Sequence, residues 1–118
     1  MEKGNKTELK KHNDVLLIDI QGDVTGFSES SLNEAYKNAN EQGAGSILLK
    51  FEQNAYINSA GIAIIIQILA ESRRNKQKIG ITGISEHFKK IFGLVGITKF
   101  AKIYNTIDEG ISGLSCAK

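Results

Sequence analysis

Tyr56-Ile57-Asn58-Ser59-Ala60-Gly61-Ile62 runs straight into Ala63-Ile64-Ile65-Ile66-Gln67-Ile68-Leu69, and the reading of this stretch decides the fold. A small polar turn stands between an apolar strand over residues 46–51 and a strongly apolar helix over about residues 59–75. Asn58 and Ser59 are good helix caps, because their side-chain oxygens accept hydrogen bonds from the N–H groups that a first turn leaves unused. A hydroxyl placed there faces the positive end of the helix dipole, which favours an added phosphate. Ser59 is therefore the residue around which a functional reading is built.

Working outward, apolar runs alternate with helical patterns. Residues 7–11 read as a charged edge strand and residues 14–21 as a central strand. A loop with Gly22 and Gly26 follows, and then a helix capped by Ser28 that ends near Asn40, with Leu32, Ala35, Tyr36 and Ala39 at helical spacing. Gly43 and Gly45 end that helix. Beyond the helix from Ser59, a strand over residues 77–83 leads to a helix capped by Ser85 and closed by a left-handed Gly96. A strand over residues 100–104 and a short helix over about residues 106–113 complete the chain. The order β-β-α-β-α-β-α-β-α predicts an α/β domain with about five strands in a mixed, mostly parallel sheet, about four helices and right-handed crossovers.

At 118 residues the chain is one domain, large enough to bury a core. We expect that domain over residues 7–114, with residues 1–6 and 115–118 as flexible ends. A net charge of +2 is too small to argue for nucleic acid or an anionic membrane. The densest cationic group, Arg73-Arg74-Asn75-Lys76-Gln77-Lys78, falls at a helix end, where it complements the dipole and stays solvated. Cys116 is the single cysteine, which fits a reducing compartment. The polar N-terminus does not read as a signal peptide, and the apolar run 57–70 is too short to span a bilayer. The expectation is a cytoplasmic protein without membrane insertion.

Chemistry-bearing motifs are missing from the sequence. Gly22-Asp23-Val24-Thr25-Gly26 is not a dinucleotide fingerprint, and there is no phosphate-binding P-loop. His12 and His87 lie far apart without a set of metal ligands around either. Asp23 reads as a turn residue, and no nucleophile–base pair is visible. No enzyme, metal or cofactor is expected.

The helix beyond Ser59 is more apolar than one buried face requires. At 100° per residue, Ile62, Ile65, Ile66 and Leu69 share a face that should pack on the sheet. Ala63, Ile64 and Gln67 point the other way. Ile64 is thus expected at the surface as part of a protein-binding patch. Ile68 lies at the border, where the neighbouring helix over residues 85–95 could equally cover it.

Three segments together resemble the STAS domain of bacterial anti-sigma factor antagonists: Gly22-Asp23-Val24, the turn Tyr56–Ile62, and Ile84-Ser85-Glu86-His87-Phe88-Lys89-Lys90-Ile91-Phe92-Gly93-Leu94-Val95-Gly96-Ile97. In that family the turn reads Asp-Ser-Ser/Thr/Ala-Gly-Leu/Ile, and its first Ser is phosphorylated by a serine kinase that is itself the anti-sigma factor. The resemblance places Ser59 at the phosphoacceptor position. It implies a partner surface made of Asp23, Thr25, Phe27, Asn58, Ala60, Gly61, Ile64 and Ile68. The implied partners are the kinase and a cognate serine phosphatase. Asn58 stands where the family usually has Asp, and Thr25 replaces a frequent loop aspartate. Other proteins resembling this chain serve as adaptors on the ATPase of lipid transporters or bind small ligands, and these are the alternative functions.

Overall fold

The structure is a computed structural model that describes residues 5–115. Strand β1 (Lys6–His12) turns at Asn13, which is left-handed with φ 58°, into β2 (Val15–Gln21). There follow α1 (Glu29–Glu41), β3 (Ser46–Lys50), α2 (Ser59–Arg74), β4 (Lys78–Thr82), α3 (Glu86–Leu94), β5 (Lys102–Tyr104) and α4 (Ile107–Leu114). The sheet order is β1-β2-β3-β4-β5, with β1 antiparallel to β2 and the remaining neighbours parallel. This is the expected order of elements and the expected mixed, mostly parallel sheet.

Both faces of the sheet are covered, as parallel strands require. On one side Leu16, Ile18, Ile20, Ile47, Leu49 and Ile81 pack under α1, α2 and α3. On the other side Val15, Leu17 and Leu48 meet Leu114, Ile107 and Ile111 of α4. Alternate residues of β2 point to opposite faces, so its near-continuous apolar run feeds both cores. Among the described residues no helix is long and apolar enough to cross a membrane.

Hydrogen bonds at both ends of the domain involve residues next to the expected bounds. The Asn5 side chain donates to the Gln21 carbonyl at 2.8 Å, and Lys6 opens β1. At the other end Ser115 Oγ bonds the Asp14 carboxylate at 3.0 Å. Residues 5, 6 and 115 are thus bonded to the folded unit, whereas residues 1–4 and 116–118, Cys116 among them, lie outside the described residues.

Two local expectations are corrected. Ser28 does not cap α1 with its side chain. Thr25 instead caps a short 3₁₀ turn, Gly26–Ser28, and Ser28 closes the reciprocal bond to the Thr25 N–H at 2.9 Å. Strand β5 begins only at Lys102, because Ile97–Lys99 form a second 3₁₀ turn after the left-handed Gly96 (φ 88°).

The larger correction concerns α2. Ile64 and Ile68 are 6% and 4% exposed and belong to the core, so neither can form an exposed apolar patch. The buried positions are Gly61, Ile64, Ile65, Ile68, Leu69 and Ser72, whereas Ile62 and Ile66 are half-buried and Ala63 and Gln67 exposed. The cause is tertiary. Helix α1 packs beside α2 and widens its covered arc to roughly 140° at 100° per residue, which brings Ile64 and Ile68 inside.

Candidate functional site

The turn before α2 is built on the end of β2. Val24 pairs with Ile57 in an isolated parallel bridge. Its N–H donates to the Tyr56 carbonyl at 2.9 Å, and its carbonyl accepts the Asn58 N–H at 3.1 Å. Asp23 strengthens the join, its Oδ1 accepting the Tyr56 N–H at 2.9 Å. Gly22 adds a bond from its N–H to Glu52 Oε1 at 3.0 Å. Asp23 is therefore a brace between two loops, and its side chain is committed to the backbone.

Asn58 is the N-cap of the 16-residue α2, and its Oδ1 accepts the Gly61 N–H at 2.8 Å. Ser59 is the first helical residue and is exposed, as is Ala60. The first turn carries no acidic residue, so the positive end of the dipole at Ser59 meets no carboxylate from its own helix. Gly61 lets this turn sit on the Val24 backbone. A Cβ at residue 61 would lie 2.2 Å from the Val24 oxygen.

The Thr25–Ser28 segment forms the other wall. Thr25 Oγ1 accepts the Phe27 N–H at 3.1 Å, which fixes the turn that holds Phe27 outward, 62% exposed. Gly26 faces Ala60, whose Cβ lies 3.5 Å from the position of a Cβ on residue 26. The structure thus brings Asp23, Thr25, Phe27, Asn58, Ser59, Ala60 and Gly61 together at one end of the sheet. It removes Ile64 and Ile68 from that surface.

Sequence reasoning passed over Tyr56 as part of this surface. Tyr56 is 59% exposed and meets Phe88 of α3 edge-on, with ring centroids 6.1 Å apart. His87 is exposed beside the same ring, 5.0 Å from Phe88 between centroids. The only sequence signal was a large aromatic in an otherwise small-residue turn. Ser85 Oγ caps α3 through the Phe88 N–H at 3.3 Å, so the start of α3 forms the third side of the surface.

The STAS domain family model matches residues 6–110, spanning the whole sheet, the turn at Ser59 and the start of α4. The chain belongs to the STAS domain family. An anti-sigma-B factor antagonist of Staphylococcus epidermidis is 20% identical to this STAS domain over 86 residues, which are 73% of this chain and 80% of that protein. The crystal structure of an anti-sigma factor antagonist from Mycobacterium paratuberculosis superposes with a TM-score of 0.79 at 14% identity, over 94% of each chain. The Bacillus cell fate determinant SpoIIAA in its phosphorylated form gives a TM-score of 0.66 at 16% identity, covering 93% of this chain and all of that one. At such identities the structural likeness bears on the fold alone.

Against the family's turn, the two departures acquire a physical meaning. Asn58 makes the cap an Asp would make, and Thr25 makes the turn bond with a hydroxyl. The hydrogen-bonded frame of this STAS domain is complete, and two negative charges are absent from it.

Proposed function

We propose that this STAS domain is an anti-sigma factor antagonist that works by partner switching. In the unphosphorylated state it binds an anti-sigma factor serine kinase through the first turn of α2, the Asp23–Phe27 loop and the rim at Tyr56. The observation that carries this reading is the exposed Ser59 hydroxyl at the first position of α2, on a turn held rigid by Val24, Asn58 and Gly61. The named functions of the relatives support it.

In the switching step Ser59 Oγ attacks the γ-phosphorus of ATP held by the kinase. The Oγ–P bond forms, the bond to ADP breaks, and the hydroxyl proton passes to a base on the kinase. The product carries about −1.5 to −2 charges at neutral pH. The helix N-terminus stabilises that charge in the free protein. In the complex the charge sits in a desolvated contact next to Ala60 and Phe27, where an unpaired charge is costly. Release follows from local electrostatics and leaves the fold in place.

The test is incubation with ATP and the anti-sigma serine kinase of the same cell, read by mass spectrometry. Phosphate is expected on Ser59 and absent from Ser59→Ala. Labelling elsewhere, or none, would sink the proposal.

A further inference from the structure

The net charge of +2 conceals a strong separation of charge. Residues 72–107 hold eight Lys and Arg and one acidic residue, Glu86. The rest of the chain keeps seven of the fifteen cations against twelve of the thirteen carboxylates. Topology sorts several of these charges in space. Strands β2 to β5 are parallel, and the helices between them run back, so strand starts and helix ends share one pole. Arg73 and Arg74 end α2, Lys76 and Lys78 lead into β4, and Lys99 and Lys102 lead into β5, against Asp14 before β2, Glu41 at the end of α1 and Glu71, which pairs with Arg74. Asp23, Glu29, Glu52, Glu86, Asp108 and Glu109 lie at strand ends and helix starts, the pole of Ser59.

The cationic pole also carries an apolar tip. Leu94, the last residue of α3, is 86% exposed, Val95 after it 46%, and Phe100, just past the second 3₁₀ turn, 39%. Phe92 and Ile97, both fully buried, anchor the turn on either side. Arg73 lies over the Phe100 ring, 5.5 Å from its centroid, which joins the end of α2 to the tip. Lys90 precedes Leu94 by one helical turn and shares its face of α3.

We propose that this tip docks on an anionic lipid surface. Charge complementarity selects an anionic partner: Arg74 is paired with Glu71, but Arg73, Lys90, Lys99 and Lys102 border the tip, and no Asp or Glu occurs between Glu86 and Asp108. The protruding shape selects a bilayer. A side chain as exposed as Leu94 needs a matching hole in a protein partner, whereas the headgroup region accepts it without one. Cations near an anionic leaflet add to the apolar burial of an inserted tip. The Ser59 turn lies at the far end of α2, about 21 Å away at 1.5 Å per residue, and so faces away from the membrane. The domain would lie on the membrane without spanning it, and its switching surface would stay open to a soluble partner. This goes beyond partner switching and stands or falls separately from it.

The chain contains no tryptophan, so Leu94→Trp gives a single reporter at an exposed position, and Phe27→Trp gives a control at the opposite pole. With vesicles of phosphatidylcholine and phosphatidylglycerol at low salt, the emission of the Leu94→Trp protein should shift to the blue while that of Phe27→Trp stays put. Pure phosphatidylcholine vesicles should give no shift. Cosedimentation of the otherwise native chain should fall roughly tenfold or more in the double variant Lys90→Glu, Lys99→Glu, since each cation near the surface contributes roughly a fivefold factor. An unshifted Leu94→Trp spectrum with anionic vesicles overturns the proposal, and so do equal shifts at both positions. A shift with neutral vesicles alone also overturns it. A blue shift that grows with protein concentration in the absence of lipid assigns the tip to a second copy of the chain instead.

Discussion

Gly61 lies against the Val24 carbonyl so closely that a Cβ on residue 61 would fall 2.2 Å from the oxygen and 2.7 Å from the carbon. The same carbonyl accepts the Asn58 N–H. One backbone oxygen therefore sets both the position of the cap and the height of the first turn above the loop. The glycine is required for contact, since its φ is not in the left-handed region.

Gly61→Ala should accordingly lower stability by about 1–3 kcal/mol or more, because neither the Val24 backbone nor the helix can give way cheaply. Gly26→Ala is the matched control. Its nearest neighbour, the Ala60 Cβ, stands at an ordinary 3.5 Å, so its effect should be small. Urea unfolding of both variants measures the difference, and equal midpoints would remove the packing argument.

Asn58 tests the cap. Asn58→Ala leaves the Gly61 N–H without its partner and should cost about 1 kcal/mol. Asn58→Asp keeps the bond and adds a negative charge at the positive end of α2, which should stabilise by about 0.3–1 kcal/mol at low salt. That gain should shrink as salt screens it. A destabilised Asn58→Asp protein would show that the local field at Ser59 is already negative.

The order of elements was legible because most helices and strands announce their own ends, the start of α1 and that of β5 excepted. Asn58 and Ser85 are caps in both sequence and structure. The site was legible to the extent that it is local, so the turn at Ser59 stood out. What could not be read was set by tertiary contact. The rotation of α2 about its axis depends on α1 lying beside it, and helical periodicity in a run as apolar as Ile62–Leu69 does not choose between faces. The separation of charge was equally hidden, since Arg73, Lys76, Lys78, Lys99 and Lys102 gather only once parallel strands bring their starts together.

That rotation makes a prediction with a sign. Ile64→Glu should unfold or severely destabilise the domain, as Ile65→Glu should, because both bury a carboxylate without a partner. Ala63→Glu lies on the exposed side of the same turn and should change stability by about half a kcal/mol or less. Thermal melts of the three variants decide it. A stable Ile64→Glu protein would return that residue to the surface.

Phe27 offers the sharpest test of the proposed switching surface. Its ring is exposed and its backbone is held by Thr25, so Phe27→Ala should leave the melting temperature nearly unchanged. An exposed aromatic on a rigid turn is a good anchor for a partner, and its loss should weaken capture of the anti-sigma kinase tenfold or more, by about 1.4 kcal/mol at least. Ser59→Asp should weaken capture roughly a hundredfold by placing a charge in the same contact. Gly26 and Ala60 meet between the two positions, so the effects should not add. Once the charge has opened the contact, Phe27 has little left to lose. Titration of the kinase with the wild type, both single variants and the double variant closes the cycle. Strict additivity would mean that Phe27 and Ser59 touch separate parts of the partner, and that charge at Ser59 acts without opening the Phe27 contact.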